Sequence, residues 1–261
     1  MQENLLLVLN KLCLFWLISF GIIVIRYFLI CGGTYLLFYS ILKNYAAKRN
    51  LRRQPPSWKA IKKDMELSVL CAIIFAFCAA LIIMSYDLGI TFLYTSLDKY
   101  GLWYLGFSFV VLLILQDAYF YFMHRLFHHP RLFKKLHYGH HSSGEPTPWT
   151  SFAFDPGEAI IQALFFLCIV FILPLHYIPL LTALMLMTVW ALFNHIGFEL
   201  LPPSFYSNWL GKWFIGSKHH LVHHRQYTLH YGLYFTFWDK LLGTQDANFD
   251  NEQLVSVEEQ I

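Results

Sequence analysis

Imidazole is the reactive chemistry that this sequence concentrates. All 13 histidines lie between His124 and His230, a window of 107 of the 261 residues. Scattering by composition alone would confine them so roughly once in 10^5 trials. Eight fall into three groups: His124-x-x-x-His128, His137-x-x-His140-His141 and His220-x-x-His223-His224. Residues three and four apart share a helix face, so each group presents rings together. His195, at the end of a long apolar run, makes nine. Nine imidazoles exceed one ion's capacity. Zinc takes four ligands, and two six-coordinate ions with open positions would use about nine or ten. Imidazole suits zinc, copper, iron and nickel, and the sequence has none of the Glu-x-x-His pairs of ferritin-like sites. The pattern points to a bimetallic, mostly all-imidazole site. A single histidine beside a membrane is ordinarily just a hydrogen-bonded polar residue. Three such groups without metal would leave many half-buried donors unpaired, which is costly.

The neighbours of these groups sort by spacing. His129, His176 and His230 complete no group, and His176, in a turn, is expected to be structural. Asp117 lies seven residues before His124, on the same helical face. A carboxylate inside a membrane span is expensive. Its expected role is to accept the second ring N–H of a ligand histidine and fix its tautomer, the plainer alternative being a helix–helix hydrogen bond. Cys13, Cys31, Cys71, Cys78 and Cys168 sit in apolar runs without a C-x-x-C pair. They read as small buried hydrophobes rather than thiolate ligands.

The elements that must carry these groups are membrane helices. The chain is 57% hydrophobic and 13% charged, with mean hydropathy +0.47, against about 25% charged residues in soluble domains. This excludes a disordered chain, a soluble domain and a nucleic-acid-binding protein. Spans are expected at about Phe20–Leu42, with Arg26 snorkelling toward an interface and the preceding residues along the membrane surface, then at Leu67–Met84 and Leu102–Met123. Ala159–Phe193 holds no Asp, Glu, Lys or Arg, and Pro174 and Pro179 bracket a turn within it. Its two short arms suit a tilted or re-entrant hairpin. Glu3, a single early lysine and the lack of an A-x-A site argue against a cleaved signal peptide. The basic stretch Lys43–Lys63 is expected to be cytoplasmic, which puts all three histidine groups on that side. The expectation is an all-α integral membrane protein. About four to five transmembrane or re-entrant helices would lie under a cytoplasmic-side histidine-rich helical cap. Residues 1–261 would form one membrane domain, with the histidine region at 117–244 and an acidic tail after it.

Three boxes of the form H-x3-H, H-x2-HH and H-x2-HH in a multispan chain resemble the fatty acid hydroxylase/sterol desaturase superfamily. The likeness extends to P-T-P-W-T-S-F-A-F-D-P (Pro146–Pro156), L-P-L-H (Leu173–His176), G-S-K-H-H-L-V-H-H (Gly216–His224) and H-Y-G-L-Y-F-T-F-W-D-K-L-L-G-T (His230–Thr244), most like sterol C-5 desaturases. Two positions depart from that pattern: Asp155 stands where histidine is usual, and His230 where asparagine is. The resemblance implies metal ligands at His124, His128, His137, His140, His141, His195, His220, His223 and His224, with His219 optional. It also implies two non-haem iron ions, O2 as co-substrate, and desaturation or hydroxylation of a membrane lipid. A sterol is the first expectation, with a fatty acyl chain or another lipid as the alternative. No dinucleotide-binding or haem-attachment motif is present, so electrons would come from a separate carrier such as cytochrome b5 or a ferredoxin. The basic loop could dock it, or could serve topology alone. The membrane would be the endoplasmic reticulum or a bacterial inner membrane. Two other classes stay in view. A zinc-dependent intramembrane hydrolase would carry H-E-x-x-H, and a metal transporter or store would string its ligands through the bilayer.

Overall fold

The computed structural model describes residues 2–247 and 249; the acidic tail at 250–261 lies outside the described residues. Helix α1 (Gln2–Leu36) runs on through one π-helical turn, Leu37–Ile41. Proline is absent from this stretch and most of its surface is apolar, so nothing breaks the helix; one face packs on the bundle and the rest can meet lipid. The expected surface segment before Phe20 is therefore replaced by a single long helix, apolar enough to span over Leu5–Ile41. After α2 (Lys43–Lys48), helix α3 (Trp58–Asp87) starts at Ser57, whose Oγ accepts from the Ala60 amide at 3.1 Å. Helix α4 (Leu102–Phe127) is the third span. Two short helices follow, α5 (Pro130–Leu136) and α6 (Tyr138–His141). His129 caps α5, its Nδ1 accepting from the Arg131 amide, and Pro130 takes the first helical position.

The expected hairpin is asymmetric. Its first arm, α7 (Pro156–Ile169), has 14 residues, or about 21 Å of helix against a hydrocarbon core of about 30 Å. Its second arm, α8 (Tyr177–His195), is long and apolar enough to span. Between them β2 (Leu175–His176) pairs in parallel with β1 (Leu93–Tyr94). His176 donates from Nε2 to the Thr95 carbonyl at 2.9 Å and accepts the Ile178 amide at Nδ1, so both its nitrogens are used in pinning this turn. The cap closes with α9 (Pro203–Ser207), α10 (Ser217–Gln226) and α11 (Phe237–Leu241).

Small residues let the spans approach closely. Cys71, Ala72, Ala76 and Ala80 on α3 are buried. Cys71 Sγ donates to the Phe154 carbonyl at 3.1 Å, and Cys78 Sγ to the Ala163 carbonyl at 3.3 Å. Cys13 and Cys168, expected to be buried, are exposed on the helix bundle, where lipid accepts a small apolar side chain as readily as a core does. On the opposite side of α3, Trp16 Nε1 of α1 donates to the Ile73 carbonyl at 3.0 Å, and Lys11 pairs with Asp87 at 2.6 Å. Asp64 looks from sequence like one more charge of the basic loop. It is buried, and it accepts Ser143 Oγ at 2.7 Å and Thr150 Oγ1 at 2.6 Å. It ties the segment after α6 to the start of α3. The C-terminal ends of α4 and α8 thus meet α6 and α10 at one end of the bundle.

Candidate metal centre

The nine histidines expected as ligands gather into two groups. His124, His128, His137, His141 and His223 form one; His140, His195, His220 and His224 form the other. Within each group one nitrogen per ring lies within 4.8 Å of all the others. Helical spacing explains the split. In each H-x-x-H-H box the i, i+4 pair points one way and the remaining ring lies about 100° round the helix. So His137 and His141 join the five-membered group while His140 joins the four. On α10 the assignment is reversed: His220 and His224 join the four and His223 the five. The groups adjoin, with ring centroids of His141 and His224 4.5 Å apart.

The outer nitrogens of five rings have fixed partners. A carbonyl oxygen only accepts, so each ring facing one carries its proton there. His124 Nδ1 donates to the Tyr231 carbonyl at 2.9 Å, His140 to Ala153 at 3.1 Å, His195 to Ala191 at 2.7 Å and His223 to Leu229 at 2.7 Å. His137 Nδ1 meets Glu158 Oε2 at 2.6 Å with both side chains buried. Each of the four rings facing a carbonyl therefore turns an unprotonated Nε2 inward, while the His137–Glu158 contact holds one shared proton. Those inward nitrogens nearly touch: His124 to His137 at 3.1 Å, His141 to His223 at 3.1 Å, His140 to His195 at 3.2 Å and His195 to His220 at 2.8 Å. The third of these contacts brings together two lone pairs with no proton between them, an arrangement that a bound cation would resolve. A six-coordinate ion with bonds of about 2.1 Å sets neighbouring ligand atoms about 3 Å apart. The donor set therefore fits two imidazole-bound ions.

Protonation state agrees with that fit. Burial holds His137, His141, His220, His223 and His224 well below the usual imidazole range, with the neighbouring rings adding to the effect. Burial takes His128 down to about 3 and His140 to about 4. Neutral imidazole is the form that binds metal. Buried ring nitrogens without a hydrogen-bond partner remain at His128 Nε2, His141 Nδ1, His220 Nδ1 and His224 Nδ1.

Several neighbours differ from expectation. Asp117 touches no ring. Its Oδ1 accepts the backbone amides of Tyr234 (2.9 Å) and Phe235 (3.3 Å), because the chain after α10 returns across α4 and its amides reach the carboxylate first. The carboxylate that does meet a ring is Glu158, which spacing arguments missed. The available signal was an acid at the mouth of the charge-free run Ala159–Phe193. His219 lies outside both groups: its Nδ1 accepts the Gly216 amide at 3.2 Å, and its ring stacks on Phe249. His230, at φ 57°, accepts the Asp246 amide and is likewise outside them. Asp155 accepts the Gly139 amide at 2.6 Å and fixes the second box. A Cβ at Gly139 would collide with that carboxylate, which accounts for the glycine in H-Y-G-H-H. Asp239 accepts the Tyr231 and Gly232 amides at 2.8 and 2.9 Å, setting the carbonyl that holds His124.

A mostly apolar cavity runs from the rings of His124, His137, His140, His195 and His220, past Phe75, Phe152 and Phe154, to Ile23 and Arg26 on α1. Arg26 thus lines an internal wall, where sequence suggested an interfacial position.

Comparison with known proteins agrees with this architecture. A Delta(7)-sterol 5(6)-desaturase of Gibberella zeae is 31% identical over 159 residues, covering 61% of this chain and 48% of its own. Human lathosterol oxidase is 36% identical over 145 residues, 56% of this chain and 47% of its own. A Delta(7)-sterol 5(6)-desaturase of Leptosphaeria maculans is 29% identical over 230 residues, 88% of this chain and 59% of its own. The chain spans about half the length of the curated relatives it matches. No solved structure matches it. The sequence model of the fatty acid hydroxylase family covers residues 109–244, just over half of the chain and all three histidine boxes, and the chain belongs to that family.

Proposed function

We propose that this chain is a membrane non-haem di-iron oxidoreductase. In this reading one iron sits in each histidine group, and O2 and electrons from an external carrier are used to desaturate or hydroxylate a membrane lipid. A sterol is the first substrate class, as in the names of the relatives, and a fatty acyl chain the second. The observation that carries the reading is the convergence of nine imidazoles in two adjoining groups, with neighbouring ring nitrogens about 3 Å apart, at the end of an apolar cavity. When bound, the irons supply the O2 and one-electron chemistry that side chains lack. The chain's own residues do the rest. Backbone carbonyls and Glu158 fix the ring tautomers. Phe75, Phe152 and Phe154 exclude water and present apolar surface to the lipid. The basic loop Lys43–Lys63 supports a cytoplasmic orientation of the histidine end and offers positive charge to an acidic carrier such as cytochrome b5 or a ferredoxin.

Metal analysis of the purified protein tests this directly. About two irons per chain are expected, and one zinc or no metal rejects the reading. Mass spectrometry of sterols and acyl chains from a host expressing the protein then separates desaturation from hydroxylation and sterol from acyl product. Lipids unchanged in both classes, from protein that holds its iron, reject the oxidase assignment.

A further inference from the structure

The cavity is apolar except at a few atoms, and two of its polar side chains have nothing to bond. Gln162 Nε2 is buried without a hydrogen-bond partner. Arg26 lies within the first span and lines the same cavity; among the described residues no hydrogen bond or carboxylate ion pair holds it. Both are donors. An unmade bond at a buried donor is costly, and a charged side chain within a span ordinarily marks a partner or a pathway. The neighbouring polar side chains are occupied: Tyr27 donates to the Trp149 carbonyl, Ser151 to Pro148 and Thr188 to Leu184. Asn194 donates one amide hydrogen to the Leu233 carbonyl, and its buried Oδ1 is an acceptor without a partner.

Gln162 has a defined place relative to the metal ligands. It follows Glu158 by four residues on α7, so the two share a face, and both line the cavity. Glu158 holds His137. Four residues of helix rise about 6 Å, so the Gln162 amide stands about one turn from the carboxylate that supports the ring.

Resting on the oxidase reading above, we infer that Gln162, with Arg26, receives an acceptor oxygen of the lipid substrate. The carbon oxidised then lies within a few bonds of that oxygen. The shared chemistry is a polar oxygen at the end of an apolar body. A sterol supplies it as the ring hydroxyl, and a fatty acid as its carboxylate. Oxidation in the middle of an acyl chain does not fit, because the polar end would have to sit many bonds from the irons.

The test is lipid retention by the purified full chain in detergent. The protein is incubated with two matched pairs, cholesterol with cholestane and palmitic acid with hexadecane, separated from free lipid and analysed by mass spectrometry. The oxygenated member of at least one pair is expected to be retained about tenfold or more over its hydrocarbon, the scale of a hydrogen bond of about 1.4 kcal/mol. That preference should fall toward unity in Gln162→Met and partway in Arg26→Met, with iron content unchanged. Preference within the sterol pair identifies a hydroxyl, and within the acyl pair a carboxylate. Should Gln162→Met fail to elute as folded protein, Gln162→Asn, which withdraws the amide by one methylene, carries the same test. Equal retention within both pairs in the wild type, or a preference unchanged in these variants, overturns the assignment. So does a product oxidised in mid-chain. Retained preference in a protein that holds no iron or oxidises no lipid overturns the oxidase reading alone.

Discussion

The two histidine groups are built from the same boxes but are not equivalent. The five-membered group draws both rings of the first box and anchors three outer nitrogens: His124 and His223 on backbone carbonyls and His137 on Glu158. The four-membered group relies on backbone alone, through His140 and His195, and each group keeps two buried ring nitrogens without a partner. A site with an extra donor tolerates loss of one ring better than a site with four. A ring braced by a carboxylate is also the more basic ligand. Sharing H-x-x-H-H boxes between the two groups thus gives one with five rings and a carboxyl brace and one leaner, and the leaner one contributes three of the five rings on the cavity wall, His140, His195 and His220.

The largest effect should come from removing a ring. His224→Ala leaves the four-membered group with three donors. It is expected to lower metal content from about two ions per chain to about one and to take lipid oxidation below detection. His128→Ala leaves four donors in its group, and its metal loss should be partial. Metal analysis of both variants, matched for folding by gel filtration, decides between them. Equal loss in the two would show that the groups act as one site and would break the comparison.

Acid should strain both groups. An imidazole in an unfolded chain titrates near 6.5, whereas His140 is held to about 4 and His128 to about 3 by burial. A ring whose folded pKa is depressed binds fewer protons folded than unfolded, so stability falls as pH drops through about 6.5. The loss continues until the folded values are reached. Each such ring costs about 1.4 kcal/mol per pH unit in that window. The Tm of metal-free protein in detergent is therefore expected to fall steeply between pH 6.5 and 4, and less steeply in His128→Ala or His140→Ala. A flat profile would show that the rings are solvated and charged.

A smaller effect should sharpen the contrast between the groups. Glu158→Gln keeps the shape but replaces the carboxyl opposite His137 Nδ1 with an amide. Loss of such a supporting partner typically costs about 10- to 100-fold in metal affinity. The change should fall on one of two ions, read as a biphasic release during titration with a chelator. Uniform weakening of both ions would mean that the carboxylate acts on the pair as a whole.

Much of this architecture was legible in the sequence because helical periodicity and hydropathy are local signals. The i, i+4 spacings predict which rings share a face, and apolar runs predict α4 and α8. What sequence could not supply was set by packing between distant segments. His137 finds Glu158 because α7 packs against α5, which His137 ends, and Asp64 turns inward because Ser143 and Thr150 reach it first. Arg26 looked interfacial because composition carries no information on whether a helix face meets lipid or a cavity.

Asp117 provides the finest test, since it shares a helix face with His124 by the same spacing that gathers the histidines. It serves neither group directly: it pins the Tyr234 and Phe235 amides, just beyond the Tyr231 carbonyl that receives His124 Nδ1. Asp117→Asn retains an acceptor oxygen but loses its charge and must turn an amide away from two N–H donors. The expected cost is about 1–2 kcal/mol of stability, the scale of hydrogen bonds to a charged group, read as a drop in Tm at unchanged metal stoichiometry. The Asp239 hydrogen bonds to Tyr231 and Gly232 remain to keep the carbonyl in place, so His124 should stay anchored. If Asp117→Asn instead emptied the five-membered group while leaving the four, the loop from Tyr231 to Phe235 would prove to be a brace for one site only, and the inequality between the groups would extend beyond their own ligands.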